Sequence, residues 1–126
     1  MALFEHTNNT TQQGNIGLSR AIYEFSRLGY AILVPLTDSN EYDLVIEKDG
    51  VFARVQCKTS STTYKNQFVI NLLKIDKKQN VHKRATKYDW LFVLTSDDEC
   101  FFIPHRRVNL PQRSSTNSKF SQYRLT

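Results

Sequence analysis

The dipeptide Asp49-Gly50 joins two β-rich runs, Tyr42 to Lys48 and Val51 to Thr59, and it restricts the fold of this chain more than any other feature. A tight hairpin turn whose twist matches its strands needs positive φ at both central residues, and Asp and Gly tolerate it. The spacing therefore predicts an antiparallel hairpin. On its second arm Val55 and Cys57 alternate with Arg54, Gln56 and Lys58. Successive strand side chains point to opposite faces, so the first pair can enter the core while the other three share a polar face. The turn also brings Asp43, at the start of the first arm, toward Gln56 and Lys58.

Around the hairpin the patterning predicts a small mixed α/β (α+β) domain. From Asn15 to Leu28, apolar residues fall at Leu18, Ala21, Ile22, Phe25 and Leu28, the stripe of an amphipathic helix, and Gly29 supplies its stop. Tyr30 to Val34 reads as a strand ended by Pro35, and Thr37 to Glu41 as a turn. Gln67 to Leu73 is a further candidate strand, and Lys77 to Lys87 a basic helix or loop. Trp90 to Thr95 and Cys100 to Pro104 form a second hairpin across Ser96 to Glu99, with Trp90, Phe92, Phe101 and Phe102 assigned to the core. The tail from His105 carries no clear pattern.

With 126 residues, 40% apolar and 23% charged, the chain suits one soluble domain. No apolar run approaches the roughly 18 to 20 residues of a membrane span, and no secretory signal opens the sequence. The expected setting is cytoplasmic, in a prokaryote, phage or organelle, without a membrane partner. Cys57 and Cys100 form neither a metal-ligand spacing nor a disulfide framework. Cys57 points inward with no histidine beside it in sequence, so it is no candidate nucleophile. His6, His82 and His105 lack a second ligand at metal-binding spacing.

Charge is unevenly spread. Residues 1 to 49 carry a balance of −4, residues 50 to 87 of +8, residues 88 to 99 of −4 and residues 100 to 126 of +5. A solvated basic surface accounts for such clusters, and so does a footprint for the nucleic-acid backbone, where clustered Lys and Arg release counterions. The candidates for phosphate contact are Lys74, Lys77, Lys78, Lys83, Arg84, Lys87, Arg106 and Arg107.

Asp43 and Gln56 offer a carboxylate and an amide oxygen, hard donors suited to Mg²⁺, which keeps several waters. Lys58 beside such an ion can orient an attacking water and offset charge developing on a phosphate. Spacing alone is weak evidence, because solvated strand faces also carry Gln and Lys. The ordered set Gly14-Asn-Ile-Gly17, Gly29-Tyr30, Pro35, Tyr42-Asp43-Leu44-Val45-Ile46 and Val55-Gln56-Cys57-Lys58-Thr59 is more specific. It resembles the PD-(D/E)xK nuclease superfamily, and within it the homing endonucleases encoded by group I introns, whose signature reads Asp…Gln-x-Lys. The resemblance is best over residues 13 to 60 and continues more loosely to Tyr123-Arg124.

That resemblance implies a restriction-endonuclease-like core, a mixed central β-sheet flanked by helices, over residues 1–126 as one nuclease-like domain. Residues 1–12 would be a flexible N-terminus and 105–126 a basic C-terminal segment. It further implies that Asp43 binds a divalent ion, Mg²⁺ or Mn²⁺, and that Gln56 stands where the superfamily usually has an acid. The Cys57 backbone carbonyl would complete the shell and Lys58 would be the catalytic lysine, with no other cofactor. Double-stranded DNA is the implied substrate, and a homodimer or homotetramer the implied assembly.

Tyr42-Asp43 replaces the Pro-Asp of the superfamily, and Leu18 stands where relatives often place a glutamate on the first helix. Glu24 lies about 120° round that helix from Leu18 and is a poor substitute, while Glu47 shares the parity of Asp43 four residues further on. Three functions remain open: an intron-homing DNA endonuclease, a weakened or inactive nuclease-fold module that binds DNA or a protein, and a junction-resolving or repair nuclease.

Overall fold

The computed structural model describes residues 3–7, 9–37, 41–61, 63–64, 67–71, 74–75, 81–82, 87–105, 113–115 and 121–125. Helix α1 spans Thr10–Arg27 and begins five residues before Asn15, where the sequence pattern places its start. Its first turn is polar, so no core-facing periodicity marks it; the Asn9 side chain marks it instead, accepting the Gln12 N–H at 2.9 Å as an N-cap. Leu28 and Gly29 close the far end, donating to the carbonyls of Glu24 and Ser26.

The strands of the main sheet are β1 (Ala31–Leu33), β2 (Leu44–Lys48) and β3 (Val51–Ser60), then β8 (Trp90–Thr95) and β9 (Cys100–Pro104). Between β3 and β8 the chain forms β4 (Thr63–Tyr64), β5 (Gln67–Asn71), β6 (Lys74–Ile75) and β7 (Val81–His82), and after β9 comes β10 (Arg113–Ser115). The five-stranded sheet has the order β1-β2-β3-β8-β9, with β3 and β8 parallel and every other pair antiparallel. A parallel pair needs a long crossover, and residues 61–89 provide it. Within and beyond that crossover, β10-β5-β4 form a three-stranded sheet and β6-β7 a two-stranded one.

Both predicted hairpins are present. Asp49 (φ 53°) and Gly50 (φ 82°) both adopt left-handed backbone at the β2–β3 turn, as a type I′ geometry requires. Strand alternation then divides the core between two faces. Ala21 and Phe25 of α1 pack with Leu44, Ile46, Val55, Phe92, Leu94 and Cys100 on one face, and Phe4 joins them. On the opposite face Leu91, Val93, Phe101 and Ile103 cluster with Tyr88, bordered by Tyr42 and Tyr123. Phe92 and Phe101 are buried as expected, whereas Trp90 and Phe102 are half-buried and stack on each other with ring centroids 4.2 Å apart.

Among the described residues α1 lies against the central sheet, on the face of Val55 and Phe92. One expectation needs adjusting. The segment expected to be a flexible N-terminus is docked at residues 3 and 4, where the Leu3 N–H donates to the Ser96 carbonyl at 2.7 Å and Phe4 is buried. Phe4 is drawn in because its ring removes apolar surface from water against Phe25 and its neighbours. No described helix is long and apolar enough to cross a membrane.

Candidate active site

The β2–β3 hairpin positions the site. Leu44 is the first residue of β2 in register, opposite Val55, and the Asp43 N–H also donates to the Val55 carbonyl at 2.8 Å. Two successive residues therefore address one residue of β3, and the ladder ends there. The next outward-facing amide on that edge of β3 belongs to Cys57, and no β2 backbone remains to receive it. The Asp43 carboxylate takes its place, with Oδ2 accepting the Cys57 N–H at 2.7 Å. A buried amide left without an acceptor is unfavourable, so this bond both completes the strand and fixes the aspartate.

In a strand the N–H and C=O of one residue leave toward the same neighbour. The Cys57 carbonyl therefore emerges on the edge where Asp43 sits. Gln56 and Lys58 project to the face opposite Cys57, both half-buried, beside Leu91 and Val93, their register partners on β8. The hairpin thus sets an aspartate carboxylate and a backbone carbonyl on one edge of β3, with an amide side chain and a lysine on the flanking positions of that strand. These are hard oxygen donors plus one cation, a set that fits Mg²⁺ or Mn²⁺ retaining waters rather than a soft metal. Among the described residues no group of three or more His, Cys, Asp or Glu side chains could hold a metal.

The helix anchors the same strand from behind. Gln13 Nε2 donates to Thr59 Oγ1 at 3.0 Å. One turn on, a Cβ added to Gly17 would meet Thr59 Cγ2 at 2.5 Å, closer than real Cβ contacts. Gly17 is thus required for the approach of α1 to β3. Leu18 is half-buried and packs against the core cluster on the helix face, so this helix position serves packing.

Neither alternative acid is available. Glu24 is buried at 2% exposure and accepts from Arg20 Nε at 2.8 Å and Arg27 at 2.9 Å. Burial pushes its carboxyl up, but the hydrogen bonds from the two guanidinium groups outweigh that and hold it below its usual range. Arg20 also reaches Asp98 in the β8–β9 turn. Glu47 is occupied at the hairpin tip, where Oε1 accepts the Gly50 N–H at 2.8 Å.

Two features had no sequence signal of their own. Asp89 accepts the Arg54 backbone N–H at 2.8 Å on the other edge of β3, and also the Arg54 guanidinium at 3.2 and 3.3 Å. Glu41 holds Oε2 buried without a hydrogen-bond partner among the described residues.

Cys57 is unsuited to nucleophilic work, since burial first and the Asp43 charge second push its thiol well above the ordinary range. Of the candidate phosphate contacts, Lys87 is exposed and Lys74 opens β6. Lys77, Lys78, Lys83, Arg84, Arg106 and Arg107 lie outside the described residues. His105 packs edge-on against Tyr88, with centroids 4.7 Å apart.

Comparison with known proteins agrees with this architecture. A bacterial homing endonuclease, I-Ssp6803I, superposes with a TM-score of 0.80 at 20% identity, covering 93% of this chain and 89% of that one, which establishes a shared restriction-endonuclease-like fold. Protein 5.3 of Escherichia phage T7 is 29% identical over 80 residues, 64% of this chain and 68% of that protein. The family model for PD-(D/E)XK endonucleases matches residues 8–124, nearly the whole length, and the chain belongs to that family.

Proposed function

We propose that this protein is a metal-dependent DNA endonuclease of the intron-homing type, with Asp43, Gln56 and Lys58 as its catalytic set. The observation that carries the proposal is the bond from the Cys57 N–H to Asp43 Oδ2, which fixes a carboxylate at the β3 edge beside Gln56 and Lys58. Asp43, the Gln56 amide oxygen and the Cys57 carbonyl would hold the ion, for which Mg²⁺ or Mn²⁺ is the fitting choice. When bound, such an ion polarises the phosphate and acidifies a coordinated water.

Lys58 contributes on the face it shares with Gln56. Its ammonium would offset charge that develops on the phosphate oxygens, and beside the low-dielectric wall of Leu91 and Val93, its neighbours across the β3–β8 register, that charge would count for more than in water. Asp43 is pre-oriented, because its Oδ2 lone pair is already committed to a backbone amide. Double-stranded DNA is the substrate we assign. The basic residues of 74–87 and 106–107 are proposed to neutralise its backbone, so affinity should fall with salt.

One domain of 14.7 kDa spans few base pairs. A symmetric homodimer or homotetramer would extend the footprint to the long targets that homing requires. The deciding test is cleavage of target-bearing duplex DNA with Mg²⁺ or Mn²⁺ by the wild type, Asp43→Ala and Lys58→Ala. Cutting by the wild type alone supports the reading; no cutting, or equal cutting by all three, defeats it.

Leu18 favours a second reading, a module that keeps the fold and binds DNA or a protein without turnover. Under it, millimolar Mn²⁺ leaves the melting temperature unchanged, whereas a working metal site raises it through binding linkage.

A further inference from the structure

We infer that Glu41 is the second carboxylate of the metal site, acting with Asp43 on the same ion. The inference rests on the endonuclease reading above. Glu41 Oε2 is buried and has no hydrogen-bond partner among the described residues. A carboxylate oxygen withdrawn from water without a donor is strongly unfavourable, and an unsatisfied group of this kind points to a cation or ordered water that meets it. Its position in the chain matters as much. Two residues of backbone span at most about 7 Å, so the Glu41 and Asp43 side chains can reach one ion with the roughly 2.1 Å oxygen distances Mg²⁺ demands.

Other acids of the sheet and helix are committed elsewhere. Glu24 is clasped by Arg20 and Arg27, Glu47 caps the hairpin turn, Asp89 pairs with Arg54, and Glu99 pairs with Arg124. Asp43 has a backbone amide and no cationic partner among the described residues. Glu41 and Asp43 together supply the two negative charges that neutralise a divalent ion, which Asp43 alone cannot do. The substitution of Leu18 on the helix thereby finds its counterpart on the segment entering β2: the acid has moved from one wall of the site to the other.

Mn²⁺ binding to the intact protein, measured by isothermal titration calorimetry in the absence of DNA, tests this with wild type, Glu41→Gln and Asp43→Asn. Glu41→Gln is expected to weaken Mn²⁺ by about tenfold or more, to shrink the Mn²⁺-induced rise in melting temperature, and to leave the metal-free circular dichroism spectrum unchanged. If it binds Mn²⁺ as the wild type does while Asp43→Asn has lost binding, the role of Glu41 is refuted and the Asp43 site stands. If wild type binds no Mn²⁺ at millimolar concentration, the metal-dependent reading itself fails and the inference fails with it. Should Glu41→Gln misfold, Glu41→Asp keeps the charge on a shorter arm: weakened binding in the folded variant supports the role, and unchanged binding opposes it.

Discussion

Asp43 and Asp89 invite comparison because the fold gives them the same backbone task on opposite edges of one strand. Each stands just before a neighbour of β3, and each uses a carboxylate oxygen to accept a β3 amide, that of Cys57 for Asp43 and of Arg54 for Asp89. Their electrostatic settings differ. Asp89 also takes the Arg54 guanidinium, whose hydrogen bonds hold its carboxyl below the ordinary range. Asp43 receives no cationic side chain among the described residues. One edge of β3 carries a closed ion pair; on the other the carboxylate meets a backbone amide and no cation among the described residues. An aspartate that caps a strand is therefore no sign of function in itself; what else reaches its oxygens decides.

The largest expected effect separates the two by activity. Asp43→Asn should lower the DNA cleavage rate by about 10³-fold, and Lys58→Ala by about 10²- to 10³-fold. Asp89→Asn should change cleavage by no more than about threefold, measured on the same duplex. Equal losses at the two aspartates would erase the distinction.

Next in size is the platform both aspartates stand on. Gly17→Ala forces a methyl against Thr59 and should destabilise the fold by about 1 to 3 kcal/mol, read from the urea midpoint. Thr59→Ser, which removes the clashing Cγ2 while keeping the hydroxyl that Gln13 binds, should recover part of that loss in the double variant.

A smaller effect concerns acid. The Asp89 carboxyl is depressed in the folded state, so its stabilisation is present above its unfolded pKa of about 4 and fades as pH falls through the folded value. Asp89→Asn should flatten that limb below about pH 4, seen as a smaller difference in urea midpoints. The change will be modest because Arg54 and Asp89 are both nearly half exposed.

Smallest of all is the response of the Cys57 thiol. Burial dominates its raised pKa and Asp43 adds to it. Alkylation by iodoacetamide should be slow in the native protein and no more than a few-fold faster in Asp43→Asn. A large acceleration would show that the aspartate, rather than packing, protects the thiol.

Much of this arrangement was readable in the residues, and the unreadable part has a physical pattern. The Asp49-Gly50 turn, the parity of Val55 and Cys57 against Gln56 and Lys58, and the β8–β9 hairpin all depend on contacts within about twenty residues, where turn chemistry and alternation decide. The start of α1 was missed because Thr10 to Gly14 contribute no apolar stripe, although Asn9 offered a capping signal. Pairing of Arg54 with Asp89 spans 35 residues and the parallel β3–β8 junction, and neither has a local signature. Phe4 was read as part of a loose end because a single aromatic in a polar stretch has no period to reveal it. At the candidate site, the approach of Asp43 to β3, delivered by the turn, was legible. The Cys57 amide as the group that fixes the carboxylate was not, since it depends on where the β2 ladder stops.

The connectivity of β3 carries a consequence for the order of assembly. Its contact with β2 closes across a two-residue turn, an event of microseconds in typical hairpins, whereas its contact with β8 must wait for the ends of residues 61–89 to meet. The chemical groups assigned to hydrolysis therefore lie on the quickly formed side of the strand, and the wall behind Gln56 and Lys58 arrives later. A nascent chain can arrange its acidic and basic groups early, yet it acquires the dry surroundings that sharpen their charges only when the last parallel partner docks.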